Sequence, residues 1–383
     1  MKKEKMNEGL ESFTIDNLNK WGYFARRNIW ARPFVTLGAI IYTVCGGDTA
    51  KEFKEVMEII PEEVKNNKIK MFHLICKMMH YRYHYEYRFR EYIFYDFENI
   101  NHKQRLTFIN SFERFRIYGL AHSYDNIKEF ANKYSCYNIF KKYYKRDVLE
   151  VSKSDDLIPF SIFVNSHEKF LFKPYNLSCG EGIMVIEKSK ADFSMKTLFK
   201  SMLKTGGILE EYVEQDDGMA VFHPESVNTI RLTTYHNGDI TKIYYAMLRV
   251  GRGENSVDNA AAGGITAAID LDTGRIISDG YCEDAKIYRL HPDTGKQFKD
   301  SVIPKWEELL EMVYELVEVV PDHKIVGWDL ALSKDKGWLL IEANSCPGMA
   351  AAQMCHRKGF RPLFEETIMN DIPNGDLYIK GIL

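Results

Sequence analysis

The sequence lacks the features that mark several common classes of protein. Its seven cysteines are odd in number and include no CxxC pair, which argues against a disulfide framework and fits a reducing compartment. An excess of one charge is also missing: the net charge of -3 argues against general nucleic-acid binding. The strongest apolar run outside the motifs, 33–47, is shorter than the ~20 residues that span a bilayer. With no signal peptide at its start, we expect a cytoplasmic protein without a transmembrane segment.

The chain is long enough for more than one core, and its organisation is uneven. Its 383 residues, 45% of them hydrophobic, can bury one or two substantial cores. Residues 1–125 are rich in aromatic and basic side chains and predict a mainly helical region. Far downstream, 304–320 predicts a helix. Its apolar side chains at helical spacing are Trp306, Leu309, Leu310, Val313, Leu316 and Val317.

The run 78–98, MMHYRYHYEYRFREYIFYDFE, is open to two interpretations. Its alternating tyrosines and arginines suit a strand, whereas its charge density and the spacing of Leu74 and Met78 suit an amphipathic helix. Such a run either packs as core or binds a glycan, a lipid-linked sugar or a partner chain by stacking, and we expect binding. His80 and His84 could share a metal ion on a helix, but no third ligand is in register.

The stretch 324–350, KIVGWDLALSKDKGWLLIEANSCPGMA, predicts a β-hairpin, because two apolar runs flank the turn-forming residues 334–337. If the strands pair symmetrically about the middle of that turn, Asp329 lies directly across from Glu342. Their Cβ atoms would then be ~5 Å apart on one face of the sheet. Asn344 follows two residues after Glu342 and points the same way.

Two opposed carboxylates need an explanation, because like charges on neighbouring strands repel. A hard divalent cation supplies one, with Asp329, Glu342 and Asn344 as its oxygen ligands. The alternative is that both carboxylates are solvated on an exposed face. The apolar neighbours Trp328 and Leu330 indicate a buried hairpin, where unpaired charge is costly, and so favour the metal site.

These ligands and the segment EANSCPGM resemble the Mg²⁺-binding pattern of the ATP-grasp superfamily, and are similar to the corresponding loop of D-alanine:D-alanine ligases. SVNTIR and IEANSCPG most resemble the sugar-transfer-associated ATP-grasp proteins, which are linked to cell-surface polysaccharide synthesis. The resemblance implies an α+β, ATP-grasp fold in which two subdomains sandwich ATP, here preceded by a mainly helical N-terminal region. The lid subdomain would be 126–212 and the catalytic subdomain 213–383.

The stretch 169–186, KFLFKPYNLSCGEGIMVI, predicts a strand, a glycine-rich loop and a second strand. Lys173 ends the first strand, where its ammonium can meet phosphate oxygens, and backbone amides of the loop can cradle them. The loop is similar to the mobile lid loop of the superfamily. The resemblance implies nucleotide contacts by Lys173 and by loop residues Ser178, Gly180 and Gly182.

A second phosphate-facing lysine is expected, from the resemblance, at the start of an upstream helix. Lys133 is the best match, and Lys128 is close enough to remain an alternative. The stretch 206–213, GGILEEYV, has the form of the superfamily's linker between lid and core, although a plain edge strand with a charged end would look the same. By position, the residues implied to bind adenine and ribose are Glu210, Glu211, Tyr212, Val213 and Asp217.

Arginines follow on two predicted strands. Arg231 lies in the middle of 226–234, and a buried arginine must be paired or must hold an anion, such as a phosphate or a substrate carboxylate. The stretch 246–265 resembles the segment of glutathione synthetases and glutamate-adding ligases that meets the acyl phosphate, unless it is only a surface loop. The matching positions are Arg249, Arg252, Asn259, Gly263 and Gly264.

Taken together, the resemblance implies a carboxylate-amine ligase that uses ATP and Mg²⁺. Its substrates would be an amine and a small-molecule or glycan-linked carboxylate, in the modification of a polysaccharide precursor or a related sugar acid or amino acid. Two rivals remain: a kinase, which would use the same nucleotide site, and a non-catalytic component of a polysaccharide assembly system built on a degenerate fold. The usual N-terminal βαβ domain is missing, so familiar substrates do not carry over. A homodimer or an assembly partner could bind through residues 1–125.

Overall fold

The structure, a computed structural model, describes residues 24–25, 28–44, 49–153, 156–175, 182–189, 194–253 and 263–368. The chain divides into two compact units, one formed by 1–117 with 357–383 and the other by 118–356. Three predicted site residues lie outside the described residues, and their contacts stay predictions: Ser178, Gly180 and Asn259.

The first unit is helical throughout its described residues, as the sequence predicts. After a 3-10 turn at Ile29–Ala31 come α1 (Arg32–Val44), α2 (Ala50–Ile59), α3 (Glu62–Lys65), α4 (Lys68–Tyr85), α5 (Phe89–Phe94), α6 (His102–Arg105) and α7 (Ser111–Ala121). Among the described residues, none of the helices of either unit has both the length and the hydropathy needed to cross a bilayer.

The aromatic-rich run 78–98 is helical, so the strand interpretation is wrong. Helix α4 passes into α5 at Glu86, which adopts the left-handed conformation with φ 62°. Tyr83 is 2% exposed and its hydroxyl lies 2.8 Å from Thr49 Oγ1. Tyr87 is equally buried, and its hydroxyl donates to two backbone carbonyls. These tyrosines satisfy their polar groups inside the first unit, so they do not form the binding surface we expected.

The second unit combines helices with two antiparallel sheets. In chain order its elements are α8 (Tyr124–Ala131), α9 (Lys133–Tyr144), β1 (Val148–Val151), α10 (Leu157–Ser166), β2 (Lys169–Pro174), β3 (Met184–Glu187), α11 (Met195–Thr205), β4 (Gly207–Glu211), α12 (Asp217–Ala220), β5 (Thr229–His236), β6 (Thr241–Val250), β7 (Ile265–Ile269), β8 (Gly280–Cys282), β9 (Ile287–Tyr288), α13 (Trp306–Val319), β10 (Ile325–Ser333), β11 (Gly337–Asn344) and α14 (Ala350–His356). Helix α15 (Arg361–Glu365) belongs to the first unit.

The two sheets have separate hydrophobic cores. The small sheet has the order β1-β4-β2-β3 and packs with α10 and α11. The large sheet has the order β11-β10-β5-β6-β7-β8-β9 and packs with α13, the helix predicted at 304–320. Side chains of α8 and α9, such as Phe130 and Phe140, belong to the core of the large sheet. The predicted subdomain boundaries at 125 and 212 stay predictions.

The hairpin of β10 and β11 places Asp329 opposite Glu342, as predicted, but its turn half differs from the symmetric pairing. The strands close one residue earlier, with Ser333 opposite Gly337, which adopts the left-handed φ of 67° typical of a three-residue hairpin loop. A β-bulge then takes up one extra residue, Ile341, between the Leu330 and Asp329 pairs. The bulge restores the predicted pairing at the carboxylates.

Candidate functional site

Three charged side chains form a row across neighbouring strands of the large sheet. Arg231 on β5 pairs with Asp329 on β10, which pairs in turn with Glu342 on β11. Directly paired residues project from the same face of a sheet, so the three side chains lie side by side. Asn344 falls two residues beyond Glu342, on that face as well. The structure therefore brings together the three predicted metal ligands and one predicted anion-binding arginine.

Asp329 is held by two arginines rather than left facing Glu342 alone. Arg231 binds it with two N–H groups, Nε to Oδ1 and Nη2 to Oδ2, the second at 2.5 Å. Arg249 Nη1 lies 3.0 Å from Oδ2. Burial opposes ionisation of Asp329, but the two guanidinium groups outweigh it and lower its pKa. The opposed carboxylates thus have a partial explanation in these arginines, which the sequence analysis did not consider.

Glu342 lies within electrostatic reach of both predicted phosphate-binding lysines. Burial and the Asp329 carboxylate raise its pKa, while Lys173, Lys133 and Arg231 act in the opposite direction. Lys133 is the first residue of α9, as predicted, and its Nζ lies 3.4 Å from the carbonyl oxygen of a proline at the end of β2. Burial lowers the pKa of Lys133, with Glu342 raising it and Lys173 lowering it. Four cationic side chains therefore surround two carboxylates.

The position of Lys133 favours it over Lys128 as the second phosphate-facing lysine. Lys128 lies on α8 and is exposed. Lys133 is half-buried and its charge interacts with those of Lys173, Glu210 and Glu342. A lysine that binds a phosphate beside a metal ion must lie close to the other charged groups of the site, as Lys133 does.

Lys173 ends β2, as predicted, and forms a buried ion pair with Glu210 on β4. Its Nζ lies 2.9 Å from Glu210 Oε2. The same oxygen accepts from Arg146, whose Nε and Nη2 lie at 3.0 and 2.8 Å. Burial raises the pKa of Glu210, but Arg146 and Lys173 lower it to about 2. The negative charge of Glu210 is therefore balanced by Arg146 and Lys173. A contact between its backbone and adenine would be a separate role.

Arg146 was not predicted, and it links the small sheet to the large one. Its side chain is 1% exposed. Besides Glu210, it donates to the carbonyl oxygens of Leu340 at 2.6 Å and Ile341 at 3.4 Å, the residue before the bulge in β11 and the bulged residue itself. One guanidinium thus connects the carboxylate that pairs with Lys173 to the strand that carries Glu342. A single arginine between a helix and a strand gives no sequence signal for this role.

The other predicted linker residues occupy varied surroundings. Glu211 accepts from Lys336 Nζ at 2.6 Å. The Tyr212 ring lies 3.6 Å from Lys169 Nζ. Val213 is buried beside Ala331 and Leu339, and Asp217 is exposed at the start of α12. These residues lie along one continuous segment after β4, and their nucleotide contacts stay predictions.

Arg252 has partners of its own, outside the Arg231–Asp329–Glu342 row. Its Nη1 lies 3.2 Å from Asp284 Oδ2 and 2.6 Å from the Tyr288 hydroxyl. Gly263 adopts φ 90°, and a Cβ there would lie 3.2 Å from Arg252 Nη2. The positive φ favours glycine at this position, because other residues rarely adopt it. Gly182, at the end of the predicted lid loop, likewise has a positive φ of 71°.

Two antiparallel sheets in one α+β unit, with Lys173 on the small sheet and the carboxylate-bearing hairpin on the large one, agree with the expected ATP-grasp fold. The model of the sugar-transfer associated ATP-grasp family matches residues 116–368. The chain belongs to this family, as the resemblance of its motifs indicated. No curated protein matches the sequence.

Solved ATP-grasp structures are similar at a low level. For D-alanyl-alanine synthetase A from Vibrio cholerae the identity is 11% and the TM-score 0.41, over 64% of this chain and 66% of that one. For N5-carboxyaminoimidazole synthetase from Staphylococcus aureus with ADP they are 12% and 0.36, over 60% and 48%. For L-amino acid ligase from Bacillus licheniformis they are 14% and 0.38, over 63% and 48%. The matches span about half to two thirds of those chains, and such values add nothing to the family assignment.

Proposed function

We propose that this chain is an ATP-dependent ligase that joins a carboxylate to an amine through an acyl phosphate. The observation that supports it most is the grouping, within one unit, of two lysines with the Arg231–Asp329–Glu342 row. ATP brings three phosphates and needs cations around them, and an acyl phosphate needs donors for a developing oxyanion. The four cationic side chains around Asp329 and Glu342 supply both.

The donor set on this face fits Mg²⁺. Asp329, Glu342 and Asn344 offer only oxygen atoms, the ligands that Mg²⁺ prefers. A carboxylate has about four lone-pair sites, and the two arginines occupy three of those on Asp329. The two arginines thus use most of the acceptor capacity of Asp329, and Glu342 would be the main ligand. When bound, Mg²⁺ would neutralise charge on the β and γ phosphates.

In the proposed reaction, an oxygen of the substrate carboxylate attacks the γ phosphorus. The bond from that phosphorus to the bridging oxygen breaks, and ADP leaves. The amine nitrogen then attacks the carbonyl carbon of the acyl phosphate, the carbon–oxygen bond to phosphate breaks, and the amine proton passes to phosphate or solvent. Lys133 and Lys173 would hold the phosphates of ATP, with the linker after β4 holding its adenine and ribose.

Arg231 and Arg249 would stabilise the tetrahedral oxyanion. A guanidinium carries five N–H donors. Arg231 and Arg249 both direct N–H groups at Asp329, which holds two guanidinium groups beside the proposed metal ligands. Asp329 would then act as the anchor that fixes both arginines. Arg252, with Asp284 and Tyr288 as partners, is assigned a substrate-side role only by its resemblance to related ligases.

The proposed substrates are a small-molecule or glycan-linked carboxylate and an amine. The name of the family, sugar-transfer associated, supports a sugar acid as the carboxylate, in the assembly of a surface polysaccharide. A screen of uronic acids against amino acids, with release of ADP as the readout, tests this choice.

Hydroxylamine trapping tests the reaction itself. The purified chain is incubated with Mg-ATP, hydroxylamine and each candidate carboxylate, and the hydroxamate is measured with ADP. A ligase gives equal amounts of both, because hydroxylamine replaces the amine at the acyl phosphate. ADP with a phosphorylated hydroxyl and no hydroxamate would identify a kinase. Failure to bind Mg-ATP by calorimetry would contradict both and leave the non-catalytic interpretation.

An arginine pair provides a matched control. Arg249→Lys keeps the positive charge beside Asp329 and loses the fork of donors, so hydroxamate formation should fall at least about tenfold. Arg275→Lys changes an exposed arginine whose Nη1 donates to a backbone carbonyl and should leave the rate unchanged. Equal rates for the two variants would contradict the assignment of Arg249.

A further inference from the structure

A histidine and two carboxylates meet at the surface of the second unit, away from the contacts described for Asp329. Asp147 precedes β1, His167 follows α10, and Glu211 ends β4. One ligand atom from each lies within 4.8 Å of the other two. Among the described residues, this is the group of three histidine, cysteine or acidic side chains whose spacing suits a metal ion. Its members come from three separate segments, so the chain's fold creates it.

The orientation of His167 points its second nitrogen into this group. Nδ1 lies 2.9 Å from the carbonyl oxygen of Phe163, one turn earlier in α10. A carbonyl only accepts, so Nδ1 carries the proton. Nε2 lies 3.3 Å from Asp147 Oδ2. Histidine ligands of metals are typically fixed in this way, with the other ring nitrogen donating to a backbone carbonyl.

The separation of the two nearest ligand atoms also suits a metal. Tetrahedral Zn²⁺ binds histidine nitrogen and carboxylate oxygen at about 2.0–2.2 Å, which sets two ligand atoms roughly 3.3–3.6 Å apart. The distance of 3.3 Å from His167 Nε2 to Asp147 Oδ2 falls in this range.

We propose that Asp147, His167 and Glu211 form a binding site for one divalent transition-metal ion such as Zn²⁺. One imidazole nitrogen and two carboxylate oxygens make a borderline donor set, distinct from the oxygen-only set of Asp329, Glu342 and Asn344. Water would complete the coordination, since Asp147 is 73% exposed. The site joins the ends of β1 and β4 to α10, and so fixes the base of the small sheet where the proposed nucleotide linker begins.

The ammonium group of Lys336 would compete with a metal ion for Glu211. Its Nζ lies 2.6 Å from Glu211 Oε1, and its side chain is 39% exposed. Lys336 belongs to the turn of the β10–β11 hairpin, so its ion pair ties that turn to Glu211. A metal ion bound to Glu211 would repel the ammonium and release the tie. Metal binding and the Lys336 contact therefore oppose each other electrostatically.

Calorimetry with ZnCl₂ on the full chain tests the proposal. Excess Mg²⁺ is included to saturate oxygen-only sites, and no nucleotide is needed. One equivalent of Zn²⁺ should bind, and Co²⁺ should bind with a tetrahedral visible spectrum that lacks thiolate charge-transfer bands. His167→Ala should weaken Zn²⁺ binding at least about 100-fold. Asp147→Asn nearly preserves the volume of an exposed side chain and removes its charge, so it should weaken Zn²⁺ binding about tenfold or more.

Two further variants sharpen the result. Lys336→Met removes the competing charge and should tighten binding about two- to fivefold, the value of one exposed ion pair. His73→Ala alters an exposed histidine of the first unit and should change nothing. The proposal is overturned if no Zn²⁺ binds, if His167→Ala and Asp147→Asn bind it as the unaltered chain does, or if Lys336→Met fails to tighten it. Each outcome is independent of whether the chain is a ligase.

Discussion

Replacing Arg146 with methionine should destabilise the second unit through Glu210. The two side chains are 1% and 2% exposed and their nearest atoms lie 2.8 Å apart. Methionine keeps much of the length of the side chain and removes the guanidinium. Glu210 then remains buried with Lys173 as its one remaining ion-pair partner among the described residues, and the carbonyls of Leu340 and Ile341 lose a donor.

Two routes give a similar magnitude for this loss. Breaking a buried ion pair by removing one partner costs about 3–5 kcal/mol. Independently, the pKa of Glu210 falls from its ordinary value of 4.5 to about 2 on folding. At about 1.4 kcal/mol per pKa unit, this corresponds to roughly 3 kcal/mol, shared between Arg146 and Lys173. We therefore expect Arg146→Met to lower the free energy of unfolding by about 3 kcal/mol at neutral pH.

The effect should depend on pH with a definite sign. The folded-state pKa of Glu210 is depressed, so its contribution is fully present above the unfolded value of 4.5 and is lost as pH falls toward about 2. Below that window Glu210 is protonated in both states and no longer needs Arg146 as a charge partner. The difference between the variant and the unaltered chain should therefore shrink steadily between these pH values.

Urea unfolding, followed by the fluorescence of the buried Trp328 and Trp338, measures the difference at several pH values. Arg275→Met, at an exposed arginine of the same unit, should stay within about 0.5 kcal/mol. The double variant Arg146→Met with Glu210→Gln should recover part of the loss, because the unpaired charge is removed. A loss below about 1 kcal/mol at neutral pH, or one that does not vary with pH, would refute the reasoning.

Three further outcomes are expected. Glu342→Gln should reduce Mg²⁺-dependent ADP release at least about 100-fold and leave the melting temperature unchanged; an active variant would remove Glu342 from the metal site. Tyr87→Phe should cost about 1–3 kcal/mol in thermal unfolding, because two buried carbonyls lose their donor, and an unaltered melt would contradict a core role. Gly207→Ala should also destabilise by about 1–3 kcal/mol, since its Cβ would lie 2.5 Å from the Lys173 carbonyl oxygen and 2.8 Å from the Phe172 ring; a neutral melt would show that β2 can shift.

The hairpin pairing could be predicted because alternation and turn chemistry act locally. Asp329 and Glu342 were matched by counting from the turn, and the structure pairs them. The count was right at the carboxylates and wrong near the turn, since a bulge cannot be read from strand composition alone. The sequence contains one signal of the bulge. If side chains alternated strictly from Trp338 and Leu340 onward, the side chain of Glu342 would point into the hydrophobic core.

The partners of buried charges could not be predicted, because they come from distant segments. Arg146 and Glu210 are 64 residues apart in sequence, and neither position marks the other. The prediction that the tyrosines of 78–98 form a binding surface was wrong for a related reason. Whether a tyrosine is core or surface depends on internal acceptors for its hydroxyl, and for Tyr87 these are backbone carbonyls that composition does not reveal. The family motifs were predictable because each is short and continuous.

The extra residue in β11 lets the side chains and the backbone of this strand do different things. A strand that was one residue shorter at Ile341 could still direct Leu340 and Ala343 to the core and Glu342 toward Asp329, so the extra length is not needed to aim the carboxylate. The surplus backbone instead presents a carbonyl that lies 3.4 Å from Arg146 Nη2. Besides the Lys336–Glu211 ion pair of the turn, the hairpin thereby gains a second attachment to the small sheet that uses backbone atoms alone. The side chain of Glu342 stays available for chemistry, while the backbone next to it makes this contact.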